Sequence, residues 1–494
     1  METKLNIITD RKKEAIEKLG LSKSDPIRYG RKKNKLNVYF WDGITTLEVK
    51  ELGRKAANEL KKNKVDALLL NISKYGGLMD YVEKEINIDN AETDGYNLLE
   101  AFLLAVQLGN YDVKELIKDP YYKGDIIELG IVATDEIKDD VYKLLDDLDI
   151  LTGGITWLKN IVNKPTNLLT YEDLIRTIAT RITILNKSLK NIGHPTIELN
   201  TYSADNIKMP LTKAVCSASD TPPVLMHLHY EPTNIKDDEE LYHIVLVGKG
   251  VHYDAGGINL KPAESMSYMH YDKAGAITAI TLIMLAAMSN MNIKLDVVVG
   301  FAENLVSEKS YKPGDVLTAA NGKTVEITHT DAEGRLVLAD CLCYVNNNIK
   351  DYDNLFTIAT LTGAAKRALG NETAAIIGDD TDILDVMEEI GGETGDYCCR
   401  LRYNPYHRKQ MDSKVADIKN TDLSGIAGTL TAYAFLREFV DYPEAWTHVD
   451  IAGPGWTDKG LGATKYGATG YGVHLFYKLL KFMEDLTTND DALF

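Results

Sequence analysis

The apolar positions of the chain fall into two rhythms. Near-continuous, β-branched runs occur at YHIVLVGKG (242–250), KLDVVVGFAEN (294–304), NLFTIATLTGA (354–364) and AWTHVDIAG (445–453). Runs of this kind suit strands covered on both faces, as in a mostly parallel sheet with flanking helices. Longer stretches at 273–290, 335–348 and 429–441 predict the helices between them. Upstream, KLNVYF, DALLLNI and IIELGIVAT alternate with longer mixed segments such as LLEAFLLAVQLGNY. That alternation predicts a smaller α/β domain over residues 1–150. Residues 151–180 begin with Gly153-Gly154 and read as a linking helical segment. There Pro165 breaks a helix and Thr170 stands ready to cap the next. Residues 181–494 then make the larger domain. The expected fold class is α/β with two domains, each a mixed or mostly parallel sheet flanked by helices. A length of 494 residues, too long for one ordinary core, agrees. The lysine-rich RKKNK and LKKNK read as solvated loops or helix faces, and TTNDDALF as a fraying end.

Polar residues matter here by where they interrupt the apolar runs. The strands end in Lys249-Gly250, Glu303-Asn304, Thr360 to Gly363 and Asp450 to Gly453. In open α/β sheets, ligands bind beyond the carboxyl ends of the strands. In KGVHYDAGGINLKP (249–262), Lys249 closes a buried strand, Asp254 follows in a glycine-rich loop, and Lys261 comes seven residues later. MSYMHYDKAGA (266–276) puts Asp272 at the start of the apolar helix. HTDAEGRLVLAD (329–340) supplies Asp331, Glu333 and Arg335 at the start of another.

If those strands are neighbours, Asp254, Asp272, Asp331 and Glu333 converge. Unit charges 4 Å apart repel by about 4 kcal/mol even at an effective dielectric constant of 20. Two divalent cations would offset the four negative charges, and carboxylate oxygens suit such ions. A two-metal pair can also deprotonate a bridging water near neutral pH. Lys249 would join the ligands only as a neutral amine, its pKa depressed beside a dication. Lys261 and Arg335 would remain cationic, suited to a carbonyl that becomes an oxyanion or to a small bound anion.

Composition narrows the partners. The net charge of −18 repels phosphate backbones and anionic membranes, which argues against nucleic acid. Five cysteines without metal-finger spacing read as reduced, buried thiols in a reducing compartment. The N-terminus carries no apolar run of signal-peptide length. The longest such run, 276–288, is shorter than the roughly 20 residues a bilayer requires and reads as a buried helix. A cytoplasmic protein with no membrane partner is expected. His227 and His229 share one face of a strand and read as sheet packing. His270 and His329 flank ligand positions and read as structural. The dinucleotide fingerprint fails at Tyr253, and no P-loop, HExxH or GxSxG is present.

VGKGVHYDAGGINLKP and HTDAEGRLVLADCLCYV closely resemble the two signature stretches of the leucyl aminopeptidase family, the cytosolic two-metal enzymes. The resemblance continues through ENLVSEKSYKPGDVLTAANGKTVEI, TIATLTGA, SKVADIKN, HVDIAGPGW and GATGYGV, covering residues 160–478. It implies a metal-dependent exopeptidase that releases N-terminal, leucine-like residues from short peptides, assembled as a homohexamer. It implies two divalent ions per subunit, Zn, Mn or Co. Lys249, Asp254, Asp272 and Glu333 would hold one, and Asp254, Asp331 and Glu333 the other. Lys261 would polarise the scissile carbonyl, and Arg335 would hold a bicarbonate-like anion that shuttles the proton. Met269, Thr360, Gly363 and Ala452 would line the pocket for the first side chain. The chain departs from the family pattern at His329, usually Asn, and at His270-Tyr271-Asp272-Lys273, usually Lys-x-Asp-Met. Lys273 then places an extra positive charge beside Asp272. Two readings compete: a two-metal phosphoesterase, which shares the carboxylate logic, and a non-catalytic relative kept as a binding oligomer. Lost ligands would mark the latter, and none is lost.

Overall fold

A computed structural model of the protein describes residues 2–9, 27–30, 35–40, 45–62, 67–71, 94–119, 128–132, 138–204, 206–233 and 241–488. The chain divides into two compact units. The first comprises Met1–Trp157 with Glu389–Asp396 and Thr457–Thr469; the second comprises Leu158–Glu388, Tyr397–Trp456 and Gly470–Phe494. Helix Lys138–Val162 passes straight through Gly153 and Gly154, where the linking segment was expected to begin. Most of RKKNK, the end of LKKNK and the last six residues of the tail lie outside the described residues.

The first unit holds a five-stranded sheet in the order β2-β3-β1-β4-β5. These strands are β1 (Glu2–Thr9), β2 (Ile27–Gly30), β3 (Lys35–Phe40), β4 (Ala67–Asn71) and β5 (Glu128–Val132). KLNVYF, DALLLNI and IIELGIVAT supply β3, β4 and β5. All pairings are parallel except β2 with β3. Helices Thr46–Lys62 and Asp94–Leu108 pack on each other closely at Gly53, where a Cβ would lie 2.6 Å from the Phe102 carbonyl oxygen and 2.7 Å from Ala105 Cβ. Lys50 reaches Asp396 at 3.1 Å, joining residues 389–396 to that helix within the unit.

The second unit is built on eight strands in the order β14-β13-β16-β12-β8-β9-β7-β6. They are β6 (Glu198–Ser203), β7 (Val224–Tyr230), β8 (His243–Asp254), β9 (Lys294–Asn304), β12 (Asn354–Ala359), β13 (Ala374–Gly378), β14 (Cys398–Arg400) and β16 (Trp446–Asp450). A small sheet of β10 (Val316–Thr318), β11 (Thr324–Glu326) and β15 (Ile418–Lys419) stands beside it. The four central strands, β16, β12, β8 and β9, are parallel, as their unbroken apolar runs require. β13 and β7 run antiparallel to them at the two flanks.

Crossover helices join the central strands. Ala274–Met288 connects β8 to β9 and packs with Val473–Thr488; Gly334–Asn348 connects β9 to β12 and packs with Gly428–Arg437. Every residue from Ala274 to Ala287 is buried, so the apolarity of this stretch serves the core. The helix enters the core at Gly275, where a Cβ would lie 2.1 Å from the Ile358 oxygen of β12. Only glycine permits that approach.

Two strand boundaries differ from expectation. β8 does not close at Lys249 but continues to Asp254, with a register shift between Val251 and Tyr253. The 354–364 run is a strand only to Ala359; its remainder leaves the sheet and begins the Gly363–Leu369 helix. Thr170 does cap its helix, accepting a hydrogen bond from the Asp173 amide at 3.2 Å. Cys216, Cys341 and Cys343 are buried as expected, but Cys398 and Cys399 are only half-buried because they lie on an edge strand.

Candidate active site

The site forms at the carboxyl ends of the central strands. The register shift in β8 lets Lys249 and Asp254 serve one site from one strand. Beyond Asp254 the chain turns through Gly256 and Gly257, with φ of 89° and 64°, values that favour glycine. The turn closes when the Lys261 amide donates to the Ala255 carbonyl at 3.0 Å. Lys261 Nζ then lies 2.8 Å from Asp254 Oδ2 and also pairs with Asp331 Oδ1. The other oxygen of Asp254 accepts from Asn304 Nδ2 at 2.8 Å and from the Gly256 amide at 2.9 Å.

Lys249 is buried among three acceptors. Its Nζ lies 2.7 Å from Asp272 Oδ2 and 2.9 Å from Glu333 Oε1, and donates to the Thr360 carbonyl at 3.1 Å. One hydrogen bond and two ion pairs thus hold the ammonium, and Asp272 Oδ2 is left with no hydrogen-bond partner. The lysine fits because residue 334 is glycine: a Cβ there would lie 2.4 Å from Lys249 Cε. Asp272 follows the short Met269–Tyr271 turn, and its Oδ1 accepts from Thr360 Oγ1 at 2.7 Å. Glu333 stands just before the Gly334–Asn348 helix, and Arg335 is that helix's second residue. Arg335 Nη1 donates to the Asn420 carbonyl at 2.8 Å, while its Nε is buried with no hydrogen-bond partner.

Asp254, Asp272 and Glu333 each present a carboxylate oxygen within 4.8 Å of the others. Asp331 stands outside that trio and joins it through Lys261; its side chain is 25% exposed. The four expected carboxylates are therefore brought together as three plus one. Burial pushes Asp272 up to about 8, with Lys249 opposing and Asp254 and Glu333 adding. Burial, Asp254 and Glu333 push Asp331 up to about 7 against the pull of Lys261. Glu333 goes the other way: burial opposes its charge, but Lys249 and Lys261 outweigh it and hold the carboxyl below its usual range. For Lys249, burial disfavours the ammonium, yet Asp272, Glu333 and Asp254 together raise its pKa above the ordinary lysine value. The depression expected for Lys249 is thus not produced by the protein's own charges, which work in the opposite sense. Burial lowers Arg335 to about 10, with Glu333 and Asp450 opposing.

The expected pocket residues surround Asp272 unequally. Thr360 touches it directly. Met269 is buried in the turn before it, and Ala452 is tied to that turn where Tyr271 donates to its carbonyl at 3.5 Å. Gly363 is exposed at the start of its helix. His329 is structural, its Nδ1 accepting from the Asp331 amide at 3.2 Å. The His270 ring meets Trp456 edge-on at 5.2 Å. Lys273 is completely buried, and that burial pushes it down to about 7, so it is a weaker positive neighbour than expected. His227 and His229 do share a face of β7, where both meet Asp296 Oδ1, at 2.7 and 2.9 Å.

Sequence reasoning missed Asn420, which accepts from the Thr328 amide at 2.8 Å and donates to the His329 carbonyl at 2.8 Å. Asn304 and Asp450 carried a weak signal as polar residues at strand ends. Gly334 carried none beyond its place between Glu333 and Arg335.

Residues 156–477 match the cytosol aminopeptidase family, catalytic domain. The chain belongs to that family. A probable cytosol aminopeptidase of Campylobacter jejuni subsp. jejuni is 36% identical over 361 residues, 72% of each chain. One of Persephonella marina is 33% identical over 430 residues, 86% of this chain and 80% of that one. Among solved structures, the bottromycin maturation enzyme BotP in complex with Mn superposes with a TM-score of 0.78 at 24% identity, covering 98% of this chain and 99% of that one. That likeness shows a shared fold. As a member of the cytosol aminopeptidase family, the protein is a leucyl aminopeptidase-type, metal-dependent peptide hydrolase.

Proposed function

We propose that the protein releases leucine-like N-terminal residues from short peptides, using two divalent ions, Zn, Mn or Co, in each subunit. The observation that carries the reading is the trio of buried carboxylate oxygens within 4.8 Å of one another. Four carboxyl groups face two lysines here, and a buried, oxygen-rich donor set whose acidic groups outnumber its basic ones fits divalent cations. Lys249, Asp254, Asp272 and Glu333 would hold one ion; Asp254, Asp331 and Glu333 would hold the other. Such ions supply Lewis acidity and lower the pKa of a water toward neutrality.

The chain's own residues supply the rest. With its carboxylate partners engaged elsewhere, Lys261 keeps three N–H groups at the mouth of the site and donates to the carbonyl oxygen of the scissile bond as charge develops there. Arg335, with its buried Nε unpaired, would hold a bicarbonate-like anion, which would supply a proton carrier between the water and the leaving amine. Met269, Thr360, Gly363 and Ala452 receive the first side chain. Residues 181–494 form the catalytic domain and 1–150 serve assembly or regulation, joined by the 151–180 segment. The working form is a cytoplasmic homohexamer, with neither membrane nor nucleic acid as partner.

The test is hydrolysis of leucine amide or leucine anilide. Chelation should abolish it and Mn, Co or Zn restore it, while Asp331→Asn and Glu333→Gln should be inactive with assembly intact. A metal-loaded protein that leaves those substrates untouched contradicts the proposal.

A further inference from the structure

The Asp450 carboxylate, at the end of β16, is completely buried. Its Oδ1 accepts three backbone N–H groups: Leu361 at 3.1 Å, Thr362 at 3.3 Å and Ala452 at 3.1 Å. Its Oδ2 accepts the Thr362 hydroxyl at 2.5 Å. A carboxylate that collects four donors from two loops fixes both loops. These are the loops that follow β12 and β16, the ones carrying Thr360 and Ala452.

The decisive feature is the peptide unit between Thr360 and Leu361. In a trans peptide the N–H and C=O point in opposite directions within one plane. Here the N–H end is held by Asp450 Oδ1, and the C=O end accepts from Lys249 Nζ at 3.1 Å. Clamping one end therefore aims the other. The same residue donates its hydroxyl to Asp272 Oδ1 at 2.7 Å. Thr360 thus orients Lys249 with its backbone and Asp272 with its side chain, and Asp450 orients Thr360.

We infer that Asp450 is a positioning residue for one of the two metal ions, acting on Lys249 and Asp272 through the Thr360–Leu361 peptide. The inference rests on the two-ion reading given above. It assigns Asp450 to the ion held by Lys249 and Asp272 and leaves the ion held by Asp331 untouched. Replacing the carboxylate by an amide puts an N–H group or a weaker acceptor against the backbone donors. The peptide plane is then free to rotate, and the Thr360 oxygen no longer points at Lys249. Partners that orient metal ligands typically contribute about 10–100-fold in affinity.

The experiment is stepwise titration of metal-free full-length protein with Mn²⁺, following free Mn²⁺ by electron paramagnetic resonance. Wild type is expected to take up two ions. Asp450→Asn is expected to hold one at wild-type affinity and to bind the other at least about 10-fold more weakly. Thr362→Val is the control for loop stability. It removes the hydroxyl bond to Asp450 and the cap that Thr362 gives the Ala365 amide at 3.1 Å, but keeps the Leu361 N–H bond. It should melt at lower temperature and bind both ions as wild type does. Asp450→Glu, read in the same titration, serves if Asp450→Asn does not fold, with the same selective weakening expected. Unchanged affinity for both ions, equal weakening of both, or the same loss in Thr362→Val would overturn the assignment. A wild type that takes up fewer than two ions would instead sink the two-ion reading, and so the two failures are distinguishable.

Discussion

At the scale of single residues, the site depends on absence of bulk as much as on charge. Gly334 leaves room for the Lys249 stem, and a methyl group there would meet Cε at 2.4 Å. Gly334→Ala should destabilise the fold by about 1–3 kcal/mol, the usual cost of overpacking. It should also displace the ammonium from Asp272 and Glu333. Calorimetric melting together with metal uptake checks both effects; a variant that matches wild type in both would contradict the close packing. Lys261→Met should lower kcat roughly 10²–10³-fold, the typical cost of one lost donor to a developing oxyanion, with KM changed far less. Steady-state kinetics on leucine anilide reads that split. Lys249, Asp254, Asp272, Asp331, Glu333 and Arg335 were legible because each lies in a short polar interruption of an apolar run. Asn420 was not. It acts on Arg335 and His329 from some 85–91 positions away, and no local pattern records such a distance.

At the scale of elements, the apolar runs predicted β9 to the residue and most of the crossover helices. They failed where a strand bends. The register shift after Val251 carries β8 on to Asp254, and hydropathy does not reveal it because His252 is skipped and the polar Tyr253 and Asp254 still pair with β9. The other end of the sheet holds a polar knot across three strands. Asp296 of β9 accepts from His227 Nε2 at 2.7 Å, His229 Nδ1 at 2.9 Å and His243 Nε2 at 2.7 Å. Burial opposes the charge on Asp296, but the three imidazoles hold its carboxyl well below the usual range. Its contribution to stability is therefore present above the unfolded value of about 3.9 and is lost as pH falls through the depressed one. The Asp296 hydrogen bond raises His229, with burial opposing. Its contribution is full below the unfolded value of about 6.5 and fades as pH rises through the raised one. Melting temperature measured from about pH 1 to 9 should show both limbs in wild type, and Asp296→Asn should flatten them. Identical profiles would remove the linkage.

At the scale of the whole molecule, the fold class was readable because parallel strands buried on both faces leave unbroken apolar runs. The make-up of the first unit was not, because it gathers residues 389–396 and 457–469 from far along the chain. The carboxylates of the site are anchored on several central strands and helices of the second unit, so ion binding there should stabilise that unit. A ligand at 100 times its Kd adds about 2.7 kcal/mol to the folded state. Treatment with a chelator should lower the melting temperature, and added Mn²⁺ should restore it; indifference to both would mean that the carboxylates are satisfied by Lys249 and Lys261 alone.

The contact at Gly275 carries a last consequence. With 2.1 Å between a would-be methyl group and the Ile358 oxygen, the apolar helix and the central sheet behave as one solid piece, and Asp272 is fastened to its rim. Between that helix and the sheet, heating then has no soft joint at which to displace Asp272 first. Activity and tertiary structure should disappear at the same temperature, with no warm, intact, silent form between them.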